Sequence, residues 1–496
     1  MPSGKCAHML SANKKFERIH NLIQFAKSAT RNQVTLSNSI VPLTSKLIDC
    51  WSQPQSSITE ATDSFKFCFV RILLTLGAEP DALYEDEYGR KELDDRIANG
   101  NVCVVCAEKY NDFLAYAQLI HEAQFEQAPI LIPRHRRCKT GLIALSLDGG
   151  GMRGLVSVVC LMFASRRLFG DEYLPNVVDW MIGTSTGSML GLSLAKGLTL
   201  TEAFFLYWDM KDEIFLDGST MKRLFGSMVD RQSRNMDDVL QKCFPDQYTF
   251  LSCPKRLTVP ALDITTTPAK LHVFRNYSVN IDVAESSMED TLFRDAARAS
   301  RQVYIYHHGS SSKSNKECNC AFSAAPTYFH PHVMDGKVLV DGSFVANCPL
   351  NILFKELDQC NRNGSTISLA AIISVGTGEP MATTRKYNSG SNITAKGKNI
   401  IHLSSLLLEQ VVGYEQSGLE SAKDRCLAQN IPLVRLSPKG VNVRIDQVDG
   451  GKLMDMIWIT LKYLTDNAGE VDKLGQILFD LLGEQSDRRI RSNTTL

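Results

Sequence analysis

Residues Val177–Leu194 read VVDWMIGTSTGSMLGLSL, an apolar run that breaks at a glycine and resumes in a helix-like segment. Val177 to Ile182 predicts a buried strand, and Ser188 to Leu194 predicts a helix. Between them stands Gly183-Thr184-Ser185-Thr186-Gly187, a Gly-x-Ser-x-Gly turn. A serine on so tight a turn needs small neighbours. It then carries its hydroxyl clear of the sheet, before a helix N-terminus that favours developing negative charge. The pentapeptide alone is common by chance. Its strand–turn–helix setting makes Ser185 a candidate nucleophile, with Gly183, Thr184, Thr186 and Gly187 as its elbow.

Upstream, Ile143 to Leu147 predicts a second buried strand and Leu155 to Leu168 a helix. Asp148-Gly149-Gly150-Gly151-Met152-Arg153-Gly154 joins them. Consecutive glycines turn backbone N–H groups toward an anion. A dinucleotide cradle is one use, since Gly149, Gly151 and Gly154 fit Gly-x-Gly-x-x-Gly. An oxyanion hole is the other. The dinucleotide reading needs an acid ending the next strand, but Asp171 and Glu172 precede that strand. The strand also leads into the serine turn, so the oxyanion hole is the preferred reading.

Downstream, Thr199 and Glu202 form a capping box before an apolar helix through Met210. Strands are expected at Leu257–Ile264, Leu271–Arg275, Val338–Val340 and Ala370–Val375. Asp341-Gly342 follows the third of these, so the aspartate stands at a strand tip. Leu453–Leu464 and Val471–Leu482 carry apolar residues at helical spacing and read as core helices. Alternating strands and helices imply an α/β fold with a mainly parallel sheet covered on both faces.

Together the serine turn, the glycine loop and Asp341-Gly342 resemble the patatin-like phospholipases, most closely the animal calcium-independent phospholipase A2 group (group VI type). Further segments in family order carry the resemblance. They are Met210-Lys211-Asp212-Glu213, His272-Val273-Phe274-Arg275-Asn276-Tyr277, Ala325-Pro326-Thr327-Tyr328-Phe329 and Ser374-Val375-Gly376-Thr377-Gly378. The resemblance spans about Leu142–Leu482. It implies a three-layer patatin-like fold, Ser185 as nucleophile, Asp341 as base, and Gly149, Gly150 and Gly151 as the oxyanion hole, with Arg153 supporting the loop. The implied reaction is hydrolysis of glycerophospholipid acyl esters at a membrane surface, with water as co-substrate and no metal or organic cofactor.

Three departures stand out. Ser343 follows Asp-Gly, where the family has Gly or Ala. Only a fragment, Val70–Gly89 (VRILLTLGAEPDALYEDEYG), is ankyrin-like, against a full array in relatives; this leaves homo-oligomerisation open. About 22 extra residues, Arg301 to Phe322, separate Ala297-Arg298-Ala299-Ser300 from Ser323-Ala324-Ala325-Pro326. They read either as a surface loop, since long loops cost little closure entropy, or as a retained intron. The expected organisation is a mostly helical N-terminal region over 1–140, a catalytic core over 141–350 and a C-terminal part over 351–496 with one strand followed mostly by helices.

Composition narrows the class. The 496 residues are 44% hydrophobic, and Lys+Arg and Asp+Glu balance at 54 each, which argues against a nucleic-acid partner. The acidic run Glu85-Asp86-Glu87 fails the EF-hand spacing and reads as a solvated face. The fourteen cysteines lack a repeating spacing. Cys103/Cys106 has no partner pair, and Cys318 and Cys320 near His307 and His308 fit no standard metal pattern, so reduced thiols are expected. Met1–Phe16 is polar rather than a secretory leader. The longest uncharged apolar run, Met181–Ala195, is about 15 residues, too short to span a bilayer. A cytoplasmic protein that meets lipid peripherally is the expectation. The Asn-x-Ser/Thr sequons at Asn276, Asn363 and Asn392 read as chance matches.

Other readings stay open at this stage. Ser185, Asp341 and His402 follow the α/β-hydrolase order of a conventional triad, although His402 lies in a helix-like segment. A catalytically impaired interaction protein and a broader lipase, lysophospholipase or transacylase are the alternatives in function.

Overall fold

Alternation along the central strands sorts their side chains onto two faces. Strand β1 (Leu142–Leu147) sends Ile143, Leu145 and Leu147 into one apolar cluster and Ala144 into another. Strand β2 (Trp180–Gly183) does the same, with Met181 on the first side and Trp180 and Ile182 on the second. Six more strands complete the sheet of this computed structural model. They are β3 (Arg256–Asp263), β4 (Lys270–Arg275), β5 (His332–Met334), β6 (Lys337–Asp341), β7 (Leu369–Val375) and β8 (Leu433–Leu436). The structure describes residues 71, 72, 74–77, 115–126, 141–213, 226–279, 291–300, 331–362, 366–380 and 416–482.

Hydrogen bonding runs β5-β6-β3-β2-β1-β7-β8, with β4 also on β3. β3, β2, β1, β7 and β8 are mutually parallel, and β4, β5 and β6 join antiparallel. The mainly parallel α/β sheet expected from sequence is therefore present. One detail of register positions everything below. Thr258 pairs with both Ile182 of β2 and Arg275 of β4, so β2 and β4 lie on opposite edges of β3. Ala261 pairs with both His272 of β4 and Asp341 of β6, so β6 lies on the β2 edge. β6 thus runs head-on toward the C-terminal end of β2.

Nine helices of eight or more residues are found among the described residues: α1 (Gly154–Phe169), α2 (Thr186–Lys196), α3 (Leu200–Glu213), α4 (Gly226–Cys243), α5 (Phe293–Ser300), α6 (Leu350–Arg362), α7 (Gln416–Ala428), α8 (Gly450–Asp466) and α9 (Ala468–Leu482). The larger apolar cluster packs α1–α5, α8 and α9 on one face, and the smaller packs α6 and α7 on the other. Helix α1 is buried along its whole length, including Arg166 and Arg167. Arg167 makes a two-pronged pair with Asp472 of α9 at 2.7 and 2.8 Å, and Arg166 donates to the Thr75 carbonyl at 2.7 Å. The described parts of the N-terminal region, residues 71–76 in part and 115–126, are helical.

The capping box forms as expected. Thr199 N–H donates to Glu202 Oε2 at 2.8 Å and Glu202 N–H to Thr199 Oγ1 at 3.1 Å. Two elements differ from expectation. Leu174–Val177 is a short helix begun by Pro175 at a position that suits proline, so β2 starts only at Trp180. β8 adds a second strand to the C-terminal part; it is four residues long and holds Arg435, so its apolar signal is weak. The amide of Asn276 is fully used, accepting from Leu257 N–H and donating to the Cys253 and Lys255 carbonyls, which fits a chance sequon. No helix among the described residues is long and apolar enough to cross a membrane. Residues 301–330, His402, Cys103, Cys106, Cys318, Cys320, His307, His308, Asn363, Asn392 and all of Val70–Gly89 except 71, 72 and 74–77 lie outside the described residues.

His272 of β4 stacks its ring edge-on against Phe274. Burial, reinforced by the Lys337 and Arg275 charges, pulls its pKa down to about 4 from 6.5. The unfolded chain therefore binds a proton that the folded chain refuses between those values. We expect stability to fall as pH drops from about 6.5 toward 4, with His272 contributing up to about 3 kcal/mol of that loss. Urea titrations across this range check it, and His272→Gln should show a shallower decline than the parent.

Candidate active site

Ser185 follows β2 after Thr184 and immediately precedes α2, with φ 52° and ψ −118°. A non-glycine residue in that region of the map costs about 1–3 kcal/mol and persists only where its surroundings over-determine it. They do so here. Thr184 N–H donates to the Leu147 carbonyl at 3.1 Å, and Thr184 Oγ1 to the Ala346 carbonyl at 2.8 Å. Ser188 Oγ donates to the Ser185 carbonyl at 2.6 Å. Gly187 packs so closely on β1 that an added Cβ would stand 2.7 Å from the Asp148 carbonyl oxygen, and a Cβ on Gly183 would strike the Gly187 carbonyl. The elbow glycines are thus required by close approach. Tyr207 of α3 donates its hydroxyl to the Thr186 carbonyl, which steadies the far side of the turn.

Asp341 reaches the same place from the opposite direction. Ile182 pairs with Thr258, and Asp341 pairs with Ala261 on the same edge of β3. Three residues beyond Ile182 stands Ser185, and three residues beyond Thr258 stands Ala261. The two turns therefore meet where β2 and β6 abut. Ser300, the last residue of α5 and fully buried, joins them. Its Oγ accepts from Ser185 N–H at 3.0 Å and donates to the Pro260 carbonyl at 2.7 Å. Its carbonyl accepts from Gly342 N–H at 3.3 Å. One residue thus ties the serine turn and the middle of β3 through its hydroxyl, and the aspartate turn through its backbone carbonyl. Asp341 is itself buried, and its Oδ1 accepts from Ser343 N–H at 2.7 Å.

The glycine loop closes the third side. A Cβ on Gly149 would stand 3.3 Å from Ser185 Cβ, so the loop backbone passes directly over the serine. Gly149 N–H donates to the Asn347 carbonyl at 3.0 Å, and the Gly149 carbonyl accepts from Thr377 Oγ1 at 2.9 Å. Met152 N–H donates to the Ile445 carbonyl at 2.7 Å. The N–H groups of Gly150 and Gly151 make no hydrogen bond among the described residues, which leaves them open to an acceptor. Arg153 is buried in the short 3-10 turn that follows.

A buried ion pair anchors this loop to the sheet. Both terminal guanidinium nitrogens of Arg435 on β8 face the Asp148 carboxylate, one at 3.0 Å, and Arg435 also donates to Ser374 Oγ at 2.7 Å. Burial alone would lower the Arg435 pKa, but the Asp148 charge beside it outweighs that and raises it. The guanidinium is held charged.

Residues 145–354 match the family model described as patatin-like phospholipase. Residues 145–354 form a patatin-like phospholipase domain. The chain is similar to the 85/88 kDa calcium-independent phospholipase A2 of Mus musculus, 26% identical over 351 residues, covering 67% of this chain and 40% of that protein. It is likewise similar to the intracellular phospholipase A2 of Caenorhabditis elegans, 24% identical over 399 residues, covering 76% of this chain and 34% of that one. A third relative is human calcium-independent phospholipase A2-gamma, 23% identical over 354 residues, covering 68% and 40%. The matched stretch is thus under half the length of each relative.

Within the patatin-like domain, the residues singled out from sequence, Ser185 with its elbow, the three glycines, Arg153 and Asp341, converge on one site. Ser300, Asn347, Thr377 and Arg435 complete it, and sequence reasoning assigned them no role. Ser300 stood in a recognised segment, but only register shows that its hydroxyl joins the serine turn to β3. Arg435 lies 287 positions from Asp148, with nothing local to mark the pairing.

Two variants test this construction. Arg435→Met strands the Asp148 carboxylate in the interior and is expected to cost about 3–5 kcal/mol in chemical denaturation; adding Asp148→Asn should recover part of that loss. Ser300→Ala removes both hydrogen bonds of its hydroxyl and should cost about 1–3 kcal/mol, with Ser185 reactivity falling together with stability.

Proposed function

We propose that the patatin-like domain is a calcium-independent phospholipase A2-like serine acyl hydrolase acting through a Ser185–Asp341 dyad. The observation that carries the reading is the head-on meeting of the Ser185 and Asp341 turns, tied through Ser300. The names of the three relatives supply the substrate class, glycerophospholipid.

The reaction begins with Ser185 Oγ attacking the ester carbonyl carbon while Asp341 takes its proton. Negative charge builds on the carbonyl oxygen, where Gly150 and Gly151 N–H are the open donors; the engaged Gly149 forms the wall of this oxyanion hole, and Arg153 holds the loop's exit. Collapse breaks the bond to the glycerol oxygen, which leaves as the lysolipid alcohol with the proton from Asp341. Water then attacks the acyl-enzyme, gives its proton to Asp341, and frees the fatty acid. The donors stand preformed, so little reorganisation accompanies charge development. Histidine has no part in this scheme. The protein is proposed to work from the cytoplasmic side as a peripheral membrane enzyme, alone or as a homo-oligomer.

Hydrolysis of defined phosphatidylcholine vesicles in EDTA tests the reading. Activity should persist in EDTA. Ser185→Ala and Asp341→Ala should each lose on the order of 10⁴-fold or more, since members of such a unit fail singly. His402→Ala should retain most activity. Loss of turnover in a folded His402→Ala protein would favour a conventional triad, and an inert but folded parent protein would favour an interaction role.

A further inference from the structure

Ser343 follows the Asp341-Gly342 turn, and its hydroxyl oxygen is buried with no hydrogen-bond partner among the described residues. Buried hydroxyls nearly always find partners, because leaving one unpaired is destabilising. Its setting indicates what the partner is. The backbone N–H of Ser343 already donates to Asp341 Oδ1 at 2.7 Å, so the residue is seated against the carboxylate. The point where a Cβ on Gly149 would stand is 2.8 Å from Ser343 Oγ and 3.3 Å from Ser185 Cβ. The hydroxyl therefore borders the narrow space over Gly149 together with the Asn347 amide oxygen and the Ser185 side chain. The open N–H groups of Gly150 and Gly151 belong to the glycine loop. Ser343 belongs to the aspartate turn, where a proton is delivered to the departing alcohol.

We propose that Ser343 is a substrate-contacting residue whose hydroxyl donates to the alcohol-side oxygen of the ester held at Ser185. After the alcohol leaves, the same hydroxyl holds the water that takes its place. The inference rests on the Ser185–Asp341 reading and adds a donor on the leaving-group side. Ser343 keeps its own proton throughout. The proton lost by Ser185 goes to Asp341 and then to the glycerol oxygen as the acyl carbon–oxygen bond breaks; the water's proton follows the same route back to Ser185. The ligand chemistry is an ester of a polyol, the sn-glycerol oxygen of a glycerophospholipid.

Ser343→Ala separates this role from a structural one. Three quantities are measured on the full chain: kcat/KM on phosphatidylcholine vesicles, the rate at which a fluorophosphonate probe labels Ser185, and Tm. The probe expels fluoride, so it needs the nucleophile and oxyanion donors but no contact to a leaving alcohol. We expect kcat/KM to fall by on the order of tenfold or more, labelling to stay within about twofold, and Tm to hold or rise because an unpaired buried hydroxyl is gone. Unchanged kcat/KM overturns the proposal. So does a labelling rate that falls in step with kcat/KM, which would mean that Ser343 acts by positioning Asp341 or Ser185. A lowered Tm or an unfolded variant overturns it as well, by making the hydroxyl structural. A folded parent protein that neither labels nor hydrolyses removes the Ser185 reading itself, an outcome distinct from all of these.

Discussion

The site depends on a backbone that Ser185 would not adopt by itself. At φ 52° the chain between β2 and α2 lifts the serine out of the sheet plane, at a local cost of about 1–3 kcal/mol. Neighbours on every side hold it there. Carbonyls of β1 and of the turn after β6 take the Thr184 donors, Ser188 takes the Ser185 carbonyl, and Ser300 takes the Ser185 N–H. Remove these and the turn has every reason to relax toward an ordinary helix start.

The larger architecture reads as support for that turn. β3 is long enough to pair with β2 along its first part and with β6 along its last, which lets two strands of opposite direction meet end to end. A wholly parallel sheet offers no such meeting, because neighbouring strand tips then stand side by side. The glycine loop is carried over the junction by its own anchors, the Asp148–Arg435 pair at one end and the Ile445 carbonyl at the other. Buried ion pairs contribute little net stability and much geometric definition, and a two-pronged guanidinium suits a loop whose direction matters.

Much of this was legible in the sequence. Strand–turn–helix punctuation around Gly183–Gly187 and Asp148–Gly154 is local, and glycine requirements are steric, so both motifs declare themselves. The expected strands Ile143–Leu147, Leu257–Ile264 and Leu271–Arg275 stand within one residue of β1, β3 and β4 at each end. What stayed hidden is non-local. β6 pairs antiparallel through a three-residue contact, β8 is masked by Arg435 within its four residues, and the Ser300 hydroxyl gains meaning only from the register of three strands. In the sequence Ser343 stands out only as a departure from the family's Gly or Ala; the crowding at Gly149 gives its hydroxyl a direction. Periodicity reports which face is buried and is silent on which strand end meets which.

Ser185 as nucleophile and Asp341 as its base are the proposed roles on which the chemistry turns. Peptide mapping by mass spectrometry after fluorophosphonate treatment addresses it most directly. A single covalent adduct is expected on the peptide containing Ser185, greatly slowed in a folded Asp341→Asn protein. An adduct on another residue, or Ser185 labelling that proceeds unchanged without the Asp341 carboxylate, would contradict it.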